Sequence, residues 1–469
     1  MKPRNIFQLL LLLVVLGSCV DNPNVTEDIY LNTPAPSKSW VNGLKRQLAL
    51  TMNSVLINTE MTSDNYFNNY TLYSKVFDGP QISYTDVDVN ALQQEIGRLR
   101  EMADYGLEIV VAEDEDVEDE SVAYMHFCRG FALLLAGENF SGLPIEPLAE
   151  VSDWRTLLEV ALEEFDIAIA QTADTEAIAA YQLLKARTYY RLGDLDNAKS
   201  IAGSLLNNTS LLYTVGFDGE NGVGNEMQNA TFTSTQNRFA PLPRLDFLDP
   251  KYFDEGTAAS DQKPVSLAKA EEAYLIVMEA LLAENDLNGA KTMGIDLLNV
   301  VNTRPIELLD DSRELRNGTN RSDYPVTAVQ VRENGEAMFK DGYVLDRQAG
   351  DITVHTVSGT KVTEEDITAA TTNDQLLYLV YRLRQEIFIS EGRRMNDLGI
   401  RYPVSQTEQL NNPNVGDSFT QAVIPSFIPL DGGMDDFIVD GTTGNVTMLY
   451  DMNQVIVDNK TSEDVAPFH

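Results

Sequence analysis

Cysteine is nearly absent from this chain of 469 residues, which contains only Cys19 and Cys128. Cys19 closes an N-terminal targeting segment, so Cys128 has no second thiol with which to form an intramolecular disulfide. Its default role is that of a small buried hydrophobic residue. The three histidines, His126, His355 and His469, are far apart, and no His/Cys cluster has the spacing of zinc ligands. The sequence therefore predicts neither a disulfide framework nor a metal site.

Positive charge is also scarce, since 34 Lys and Arg residues face 72 Asp and Glu residues and give a formal charge of −38. A nucleic-acid binder must neutralise phosphates with Lys and Arg, so this balance argues against a nucleic-acid partner. It argues equally against electrostatic adhesion to an anionic membrane surface. A neutral or cationic ligand is easier to reconcile with this charge, and a strongly anionic glycan would need a local basic pocket.

Sequence motifs of common enzymes are missing: the chain has no G-x-S-x-G, P-loop, H-E-x-x-H or dinucleotide fingerprint. Acidic pairs at glycosidase distance are conceivable, but no spacing singles out a pair. We therefore expect no enzymatic activity and no cofactor. The acidic run Glu113–Glu120 favours a solvated loop and a helix N-terminus. Calcium is the weaker alternative there, because the run lacks the glycine and the spacing of a calcium loop.

A targeting segment opens the chain, with a basic start, an apolar run over residues 6–16 and then Gly17, Ser18 and Cys19. The run is too short to span a bilayer, so residues 1–18 are predicted to be a cleaved signal peptide. Its ending resembles a bacterial lipobox, which implies lipidation of Cys19. Residues 19–38 are predicted to be a tether. No other stretch approaches 18 consecutive apolar residues, so the lipid would be the membrane anchor.

An internal repeat indicates helix pairs. The segment that begins at Ile178 aligns with the segment that begins at Ala270, with Asp194 on Asp286. Small, aromatic and turn residues in the first copy lie where a tetratricopeptide repeat places them. The copies are 92 residues apart rather than adjacent, which predicts an interrupted bundle of repeat helices. Loops and short strands are expected in inserts at about 213–264 and 306–372, and the tail 411–469 is expected to be ordered loop with a strand or two, including the strand-like 453–459.

The stretch 376–404 carries the most specific pattern in the chain. Its apolar residues, mostly three or four apart, predict one long helix, and they are Leu376, Leu379, Leu383, Ile387, Met395 and Leu398. On such a helix Glu391, Arg394 and Asp397 would form a charge ladder along one side. Gly392 would permit a close crossing with another helix, and Gly399 fits a helix C-cap. These residues predict a structural role, the locking of a helix into a bundle.

The pattern E-G-x-R-x-x-D-L, formed by Glu391, Gly392, Arg394, Asp397 and Leu398, resembles the signature helix of the SusD/RagB family. The family usually has a further Glu one turn earlier, where this chain has isoleucine. The resemblance implies a mostly α fold of tetratricopeptide-like helix pairs with an irregular insert and a few short strands, forming a single domain over residues 39–469. It also implies a surface-exposed, lipid-anchored outer-membrane protein that binds glycans and delivers them to a SusC-like TonB-dependent transporter.

The candidate ligand-binding residues are aromatic, amide and charged groups in stretches without helical periodicity. Aromatic rings can pack on sugar faces while amides and charged groups satisfy the hydroxyls, and such groups must be exposed on loops. The first stretch contains Asp64, Asn65, Tyr66, Phe67, Asn68 and Tyr70; the second contains Phe232, Arg238 and Phe239; the third contains Tyr324 and, later, Tyr343. Trp40 and Trp154 are instead predicted to belong to the core. Three alternatives remain: a peptide-binding protein on the same scaffold, a protein-only scaffold of the transporter complex, and a glycosidase.

Overall fold

The computed structural model describes residues 27–68, 75–233, 239–252, 262–310, 324–325, 327–346, 350–430 and 433–469. The predicted lipidation site, Cys19, and the predicted signal peptide lie outside these residues. The α-helices are α1 (Glu27–Leu31), α2 (Pro36–Thr62), α3 (Lys75–Asp78), α4 (Val87–Tyr105), α5 (Val111–Glu113), α6 (Asp119–Asn139), α7 (Trp154–Gln171), α8 (Thr175–Leu192), α9 (Leu195–Leu205), α10 (Glu226–Gln228), α11 (Ala270–Ala283), α12 (Leu287–Val301), α13 (Glu364–Ala369), α14 (Asn373–Ile387), α15 (Arg394–Asp397), α16 (Gln406–Asn411) and α17 (Met452–Asp458).

The strands are few and short, and they pair mostly in twos. They are β1 (Tyr66–Asn68), β2 (Gly142–Pro144), β3 (Val151–Asp153), β4 (Leu212–Phe217), β5 (Phe239–Pro241), β6 (Gln262–Lys269), β7 (Ile306–Asp310), β8 (Val331–Arg332), β9 (Asp351–His355), β10 (Phe437–Val439) and β11 (Val446–Met448). Antiparallel pairs join β1 to β5, β2 to β3, β4 to β6 and β7 to β9, and β11 lies between β10 and β8. The predicted mostly α fold with a few short strands is confirmed.

The long helices pack against their neighbours in chain order, from α2 through α4, α6, α7, α8, α9, α11 and α12 to α14. This layering buries the apolar face of each helix, and a continuous core of aliphatic and aromatic side chains runs through the array. The N-cap of α7 is Asp153, whose carboxylate accepts a hydrogen bond from the Thr156 backbone N–H.

The two repeat copies fold as the helix pairs α8–α9 and α11–α12, which confirms the repeat prediction. Gly193 turns the first pair with φ of 77°, and Asn285, at the aligned position of the second copy, has φ of 63°. Both are residue types that tolerate this left-handed conformation. The aspartates that follow, Asp194 and Asp286, cap the second helix of each pair through their side chains. Residues that align between the two sequence copies therefore occupy equivalent positions in the two helix pairs.

Two features differ from the sequence predictions: the start of the first long helix and the secondary structure of residues 453–459. The first long helix starts at Pro36, inside the predicted tether, because proline suits the first turn of a helix. The strand-like 453–459 is helical instead, as α17. Asp451 caps that helix by accepting from the Gln454 N–H, and Ile456 and Val457 are buried on the side that packs against α14. A helix face explains the apolar residues there better than strand alternation does.

Candidate functional site

The signature stretch is not one helix. Helix α14 ends at Ile387, and the chain then turns through Ser390 with φ of 61° and Gly392 with φ of 71° before α15 begins. The predicted continuous helix is therefore wrong in its middle. A Cβ at Gly392 would lie 3.2 Å from Thr59 Oγ1 on α2, so the predicted close approach to another helix does occur, but in a turn. Gly399 has φ of 75° after α15, which confirms its C-cap role.

The predicted charge ladder does not form either, because each of its three members pairs with a distant residue. Glu391 accepts from Lys269 at 2.6 Å and also from Lys251. Asp397 pairs with Arg384 at 2.8 Å. The turn at residues 388–393 separates Glu391 from the helix that carries Asp397. The signature residues thus tie the end of α14 to other elements rather than to one another.

Arg394 makes the most complete of these contacts, with Asp64. Its Nε lies 2.5 Å from Asp64 Oδ1 and its Nη2 lies 2.9 Å from Asp64 Oδ2, which is a bidentate pair. Its Nη1 donates to Asn453 Oδ1 at 2.9 Å, and Gln385 Nε2 donates to Asp64 Oδ2 at 2.9 Å. Both charged side chains are 2% exposed. These contacts join α15, α17, α14 and the end of α2 through one buried hydrogen-bond network.

The three predicted binding stretches converge on one region of the fold. Strand β1 pairs with β5 so that Asn68 is opposite Phe239, and the rings of Tyr66 and Phe239 are 5.9 Å apart. The Tyr324 hydroxyl donates to the Pro241 carbonyl at 2.6 Å, on the same strand β5. Tyr343 joins them through its carbonyl, which accepts from the Phe247 N–H at 2.9 Å. Stretches that are far apart in sequence are therefore neighbours in space.

The expectation that these residues are exposed is wrong for most of them. The exposed fractions are Asp64 2%, Asn65 0%, Tyr66 0%, Asn68 0%, Phe239 1%, Tyr324 2% and Tyr343 3%. Their polar atoms face internal partners: the Tyr66 hydroxyl, for example, shares a hydrogen bond of 2.6 Å with Ser390. Phe67 is partly exposed. Tyr70 and Arg238 lie outside the described residues, as does the side chain of Phe232, so ligand binding by these three stays a prediction.

An open groove of about 400 Å³ runs along α4, and we call it the amide groove. Its walls are α4, the loop after β2 and the helix α16. Side chains with hydrogen-bonding capacity dominate its lining: Asn90, Gln93, Gln94, Arg98, Arg100, Glu101, Glu146, Ser405, Thr407, Glu408 and Asn411. Gln94, Arg98 and Glu101 are exposed, whereas Gln93 is held by the Ser405 N–H, which donates to its Oε1 at 2.8 Å. Such a surface offers both donors and acceptors to a polar ligand.

The amide groove continues into an aromatic surface, the aromatic platform, where Arg98 and Glu101 line both. The platform adds a cavity of about 250 Å³ lined by Trp40, Met102 and Tyr105. The rings of Trp40 and Tyr105 are 5.0 Å apart, and Trp40 Nε1 donates to the Met102 carbonyl at 2.8 Å. Trp40 is thus anchored at one edge while its ring borders the cavity. Its predicted role as a core residue is only half correct.

Tyr105 is half-buried, and its hydroxyl donates to the Glu27 carboxylate on α1. That hydrogen bond raises the pKa of Tyr105 to about 12. The phenol is therefore a neutral donor at physiological pH, and its ring carries no charge that would disfavour an apolar ligand face. The sequence signal for this surface was the i, i+3, i+7 spacing of Arg98, Glu101 and Tyr105 on α4, which puts all three on one side.

A second open cavity, of about 290 Å³, borders the stretch that carries Tyr343, and we call it the insert cavity. Arg382 lines it and donates to the Tyr343 hydroxyl. Next to it, the Arg332 guanidinium is 4.6 Å from the centroid of the Phe339 ring, which is 37% exposed. Asn334 and Met338 also line this cavity.

Buried carboxylates beside the repeat helices differ in their ionisation. Burial raises the pKa of Glu279 to about 7, against the opposing effect of Arg384 and a hydrogen bond from Tyr190. The same desolvation raises the pKa of Glu272 to about 7. Burial also acts on Asp397, but there the charge of Arg384 lowers the pKa below its usual value. The interior therefore contains carboxylates that ionise at different pH values, according to whether a paired arginine outweighs their burial.

Within the described ranges, no group of three or more His, Cys, Asp and Glu side chains is placed to hold a metal ion. Nor does any described helix combine the length and apolar character needed to cross a bilayer.

Comparison with known proteins gives no match to a family model and none to a curated protein sequence. Solved structures do match. A SusD superfamily protein from Bacteroides fragilis aligns with a TM-score of 0.52 and 14% identity, over 82% of this chain and 99% of the other. A SusD-like protein from the same species gives 0.51 and 11%, over 80% of this chain and 87% of the other. A SusD superfamily protein from Bacteroides thetaiotaomicron gives 0.51 and 11%, over 81% and 97%.

At this level of identity the comparison establishes the fold. The chain has the SusD-like fold, and the resemblance to the SusD/RagB family found in the signature residues is confirmed at that level.

Proposed function

We propose that this protein is a SusD/RagB-type lipoprotein of the outer-membrane surface that binds oligosaccharides non-covalently and delivers them to a SusC-like TonB-dependent transporter. Two independent lines support it: the sequence resemblance at Glu391–Leu398 with the lipobox at Cys19, and the SusD-like fold over about four-fifths of the chain. The formal charge of −38 suits a transporter partner whose facing loops are basic.

The observation that carries the glycan proposal is the joining of the amide groove to the aromatic platform. A sugar ring has apolar C–H faces and hydroxyl edges. The Trp40 and Tyr105 rings are suited to the faces, and the exposed Gln94, Arg98 and Glu101 are suited to the hydroxyls. The two cavities are open and share Arg98 and Glu101, so a chain of sugar units can extend from one into the other. We therefore move the proposed site from the buried predicted residues to this surface.

The test is calorimetric titration of the purified full chain with a panel of neutral oligosaccharides and, separately, with a panel of peptides. We expect at least one oligosaccharide to bind. Tyr105→Ala combined with Gln94→Ala should weaken that binding about tenfold, because one aromatic contact contributes about 0.5–1.5 kcal/mol and a polar contact adds to it.

Two variants serve as controls. Tyr189→Ala removes a half-buried tyrosine of α8 that borders neither the amide groove nor the aromatic platform, and it should leave affinity unchanged. Phe339→Ala combined with Asn334→Ala alters the insert cavity. If that variant loses binding while the Tyr105 variant keeps it, the site lies at the insert cavity instead. Equal binding by all variants would contradict both locations.

Peptide binding without glycan binding would instead favour a peptide-capturing protein on the same scaffold. Failure to bind either class, with or without the transporter, would favour a protein-only scaffold of the transporter complex. New reducing ends after incubation with polysaccharides would point to a glycosidase.

A further inference from the structure

A fourth cavity, of about 230 Å³, lies on the repeat helices away from the three surfaces described above, and we call it the arginine cavity. It is enclosed by the end of α6, the start of α7, the turn after α8, residues 396–401 and residues 461–469. Arg155, Arg191 and Arg401 line it together with Trp154. It shares no residue with the amide groove, the aromatic platform or the insert cavity.

Two of these arginines have no carboxylate partner. The guanidinium carbons of Arg155 and Arg401 are each 4.1 Å from the centroid of the Trp154 ring. Within the described part of the chain, neither side chain forms an ion pair or a hydrogen bond, and Arg401 Nε is buried without a partner. Arg191, by contrast, is shared between Glu138 at 3.1 Å and Asp397 at 3.2 Å.

Arg401 is half-buried, and its lack of an ion pair contrasts with the fully buried cations of the described residues. Each buried Lys and Arg of the described residues forms an ion pair: Arg187, Arg244, Lys251, Lys269, Arg304, Arg382, Arg384, Arg393 and Arg394. Acidic residues outnumber basic ones 72 to 34, so carboxylates are abundant. Burial, followed by the positive charge of Arg191, lowers the pKa of Arg401 to about 10, although Asp464 opposes this. Asp464 and Glu138 compensate this charge only without direct contact, so a ligand carboxylate at the guanidinium would stabilise the desolvated cation further.

We propose that the arginine cavity binds the carboxylate group of a small organic acid, of the size of one acidic sugar unit. A guanidinium presents paired N–H donors in a planar fork that matches the two oxygens of a carboxylate. Glu463 and Asp464 also line the cavity, and their charges favour a monoanion over a multiply charged ligand. Since pockets for drug-sized ligands begin at about 300 Å³, this one suits a single unit rather than a chain.

Further unpartnered polar atoms in the same cavity support a polar ligand. Asn396 Oδ1 and His469 Nε2 are buried without a hydrogen-bond partner in the described structure, and both residues line the cavity. Burial lowers the pKa of His469, so its imidazole is neutral at physiological pH. An amide oxygen and a neutral imidazole suit hydroxyl groups beside the carboxylate. This inference does not rest on the proposed oligosaccharide site, because the two surfaces are separate.

The experiment titrates the full chain with D-glucuronate, acetate and D-glucose at fixed pH and ionic strength, by calorimetry. We expect glucuronate and acetate to bind, with glucuronate the tighter because of its hydroxyls, and glucose not to bind. Arg401→Gln and Arg155→Gln should each weaken glucuronate at least tenfold. Arg46→Gln, at an exposed position on α2, is the matched control and should bind glucuronate as the unaltered chain does.

Arg155 is exposed, so its variant is expected to fold even if the Arg401 variant does not. Absence of glucuronate binding to the unaltered chain would overturn the proposal. Equal binding of glucose and glucuronate would overturn it too, because the carboxylate would then contribute nothing. Unchanged binding in the Arg155 variant together with unchanged binding in a folded Arg401 variant would place any carboxylate site elsewhere and have the same consequence.

Discussion

Replacement of Arg394 by alanine tests whether the signature residues hold the fold together as the structure indicates. The substitution removes the bidentate pair with Asp64 and the hydrogen bond to Asn453. Asp64 would remain 2% exposed or nearly so, with only the amide of Gln385 to stabilise its charge through a side-chain contact at 2.9 Å. The variant therefore leaves a buried carboxylate without its countercharge.

The expected loss is large. Removing one partner of a buried ion pair costs about 3–5 kcal/mol, because the other charge stays desolvated and uncompensated. The remaining Gln385 contact limits the penalty, and the lost hydrogen bond to Asn453 adds about 1 kcal/mol. We expect Arg394→Ala to lower the free energy of unfolding by about 3–5 kcal/mol, measured by urea denaturation followed by circular dichroism.

A double-mutant cycle separates the pair from other effects. Asp64→Asn removes the charge that Arg394 compensates, so the double variant should lose less stability than the sum of the two single variants, by about 1–3 kcal/mol. Arg46→Ala, an exposed arginine of α2, should change stability by less than about 0.5 kcal/mol. A loss below about 1 kcal/mol for Arg394→Ala, or strict additivity in the cycle, would refute the interpretation of this pair as the link between α2, α14, α15 and α17.

Three further predictions concern stability. The pKa of Glu279 is raised to about 7 in the folded protein, so its contribution to stability is complete below the unfolded pKa and is lost as pH rises through 7. Glu279→Gln should therefore flatten the pH dependence of the unfolding free energy between about pH 5 and 8. An unchanged slope would contradict this prediction. Gly399→Ala should destabilise the protein by more than about 1 kcal/mol in thermal unfolding, because φ is 75° and the new Cβ would lie 2.7 Å from the Asp464 carbonyl oxygen. The control is Gly203→Ala in α9, which has open space around it and should stabilise the protein by about 0.5–1 kcal/mol. Tyr66→Ala should cost about 3–5 kcal/mol of stability, since the ring is fully buried, and an unchanged melting temperature would show that the ring is exposed in solution.

The repeat helices were predictable because their information is local. The small residues, the turn at Gly193 and the capping aspartate at Asp194 lie within a few residues of one another, and each acts through its own segment of backbone. In the second copy Asn285 forms the turn and Asp286 caps the following helix in the same way. Tertiary contacts add to these preferences without reversing them, so pattern and structure agree.

The turn inside the signature stretch was not predictable in the same way. Apolar residues at helical spacing continue across it, with Ile387 before the turn and Met395 and Leu398 after it. The turn that follows α14 is held by a tertiary contact: the Gly392 N–H donates to Glu60 Oε1 at 2.7 Å, across to α2. A partner more than 300 residues away in sequence leaves no mark on the local pattern, and the charge ladder was wrong for the same reason.

Composition did not indicate that most of the predicted binding residues are buried. The aromatic, amide and acidic groups around Tyr66 are the groups that bind a sugar, but the same groups also form buried hydrogen-bond networks. The difference is the presence of complementary charge, and Arg394 supplies it for Asp64 from another element. Residues whose polar atoms are all satisfied inside cannot also face a ligand without breaking those contacts.

The two tryptophans show where the proposed binding surfaces escaped the sequence reasoning and why. Both occupy helical positions with apolar neighbours, so periodicity predicts burial for Trp40 and Trp154 alike. In the fold each tryptophan is partly buried against the core and also lines an open cavity, beside Tyr105 in the first case and beside Arg155 and Arg401 in the second. Helical spacing reports which face of a helix is apolar, but it does not report where the neighbouring element ends. Cavities open where it ends, so candidate binding residues in this fold are better sought among half-buried aromatic residues at helix ends than among polar clusters in loops.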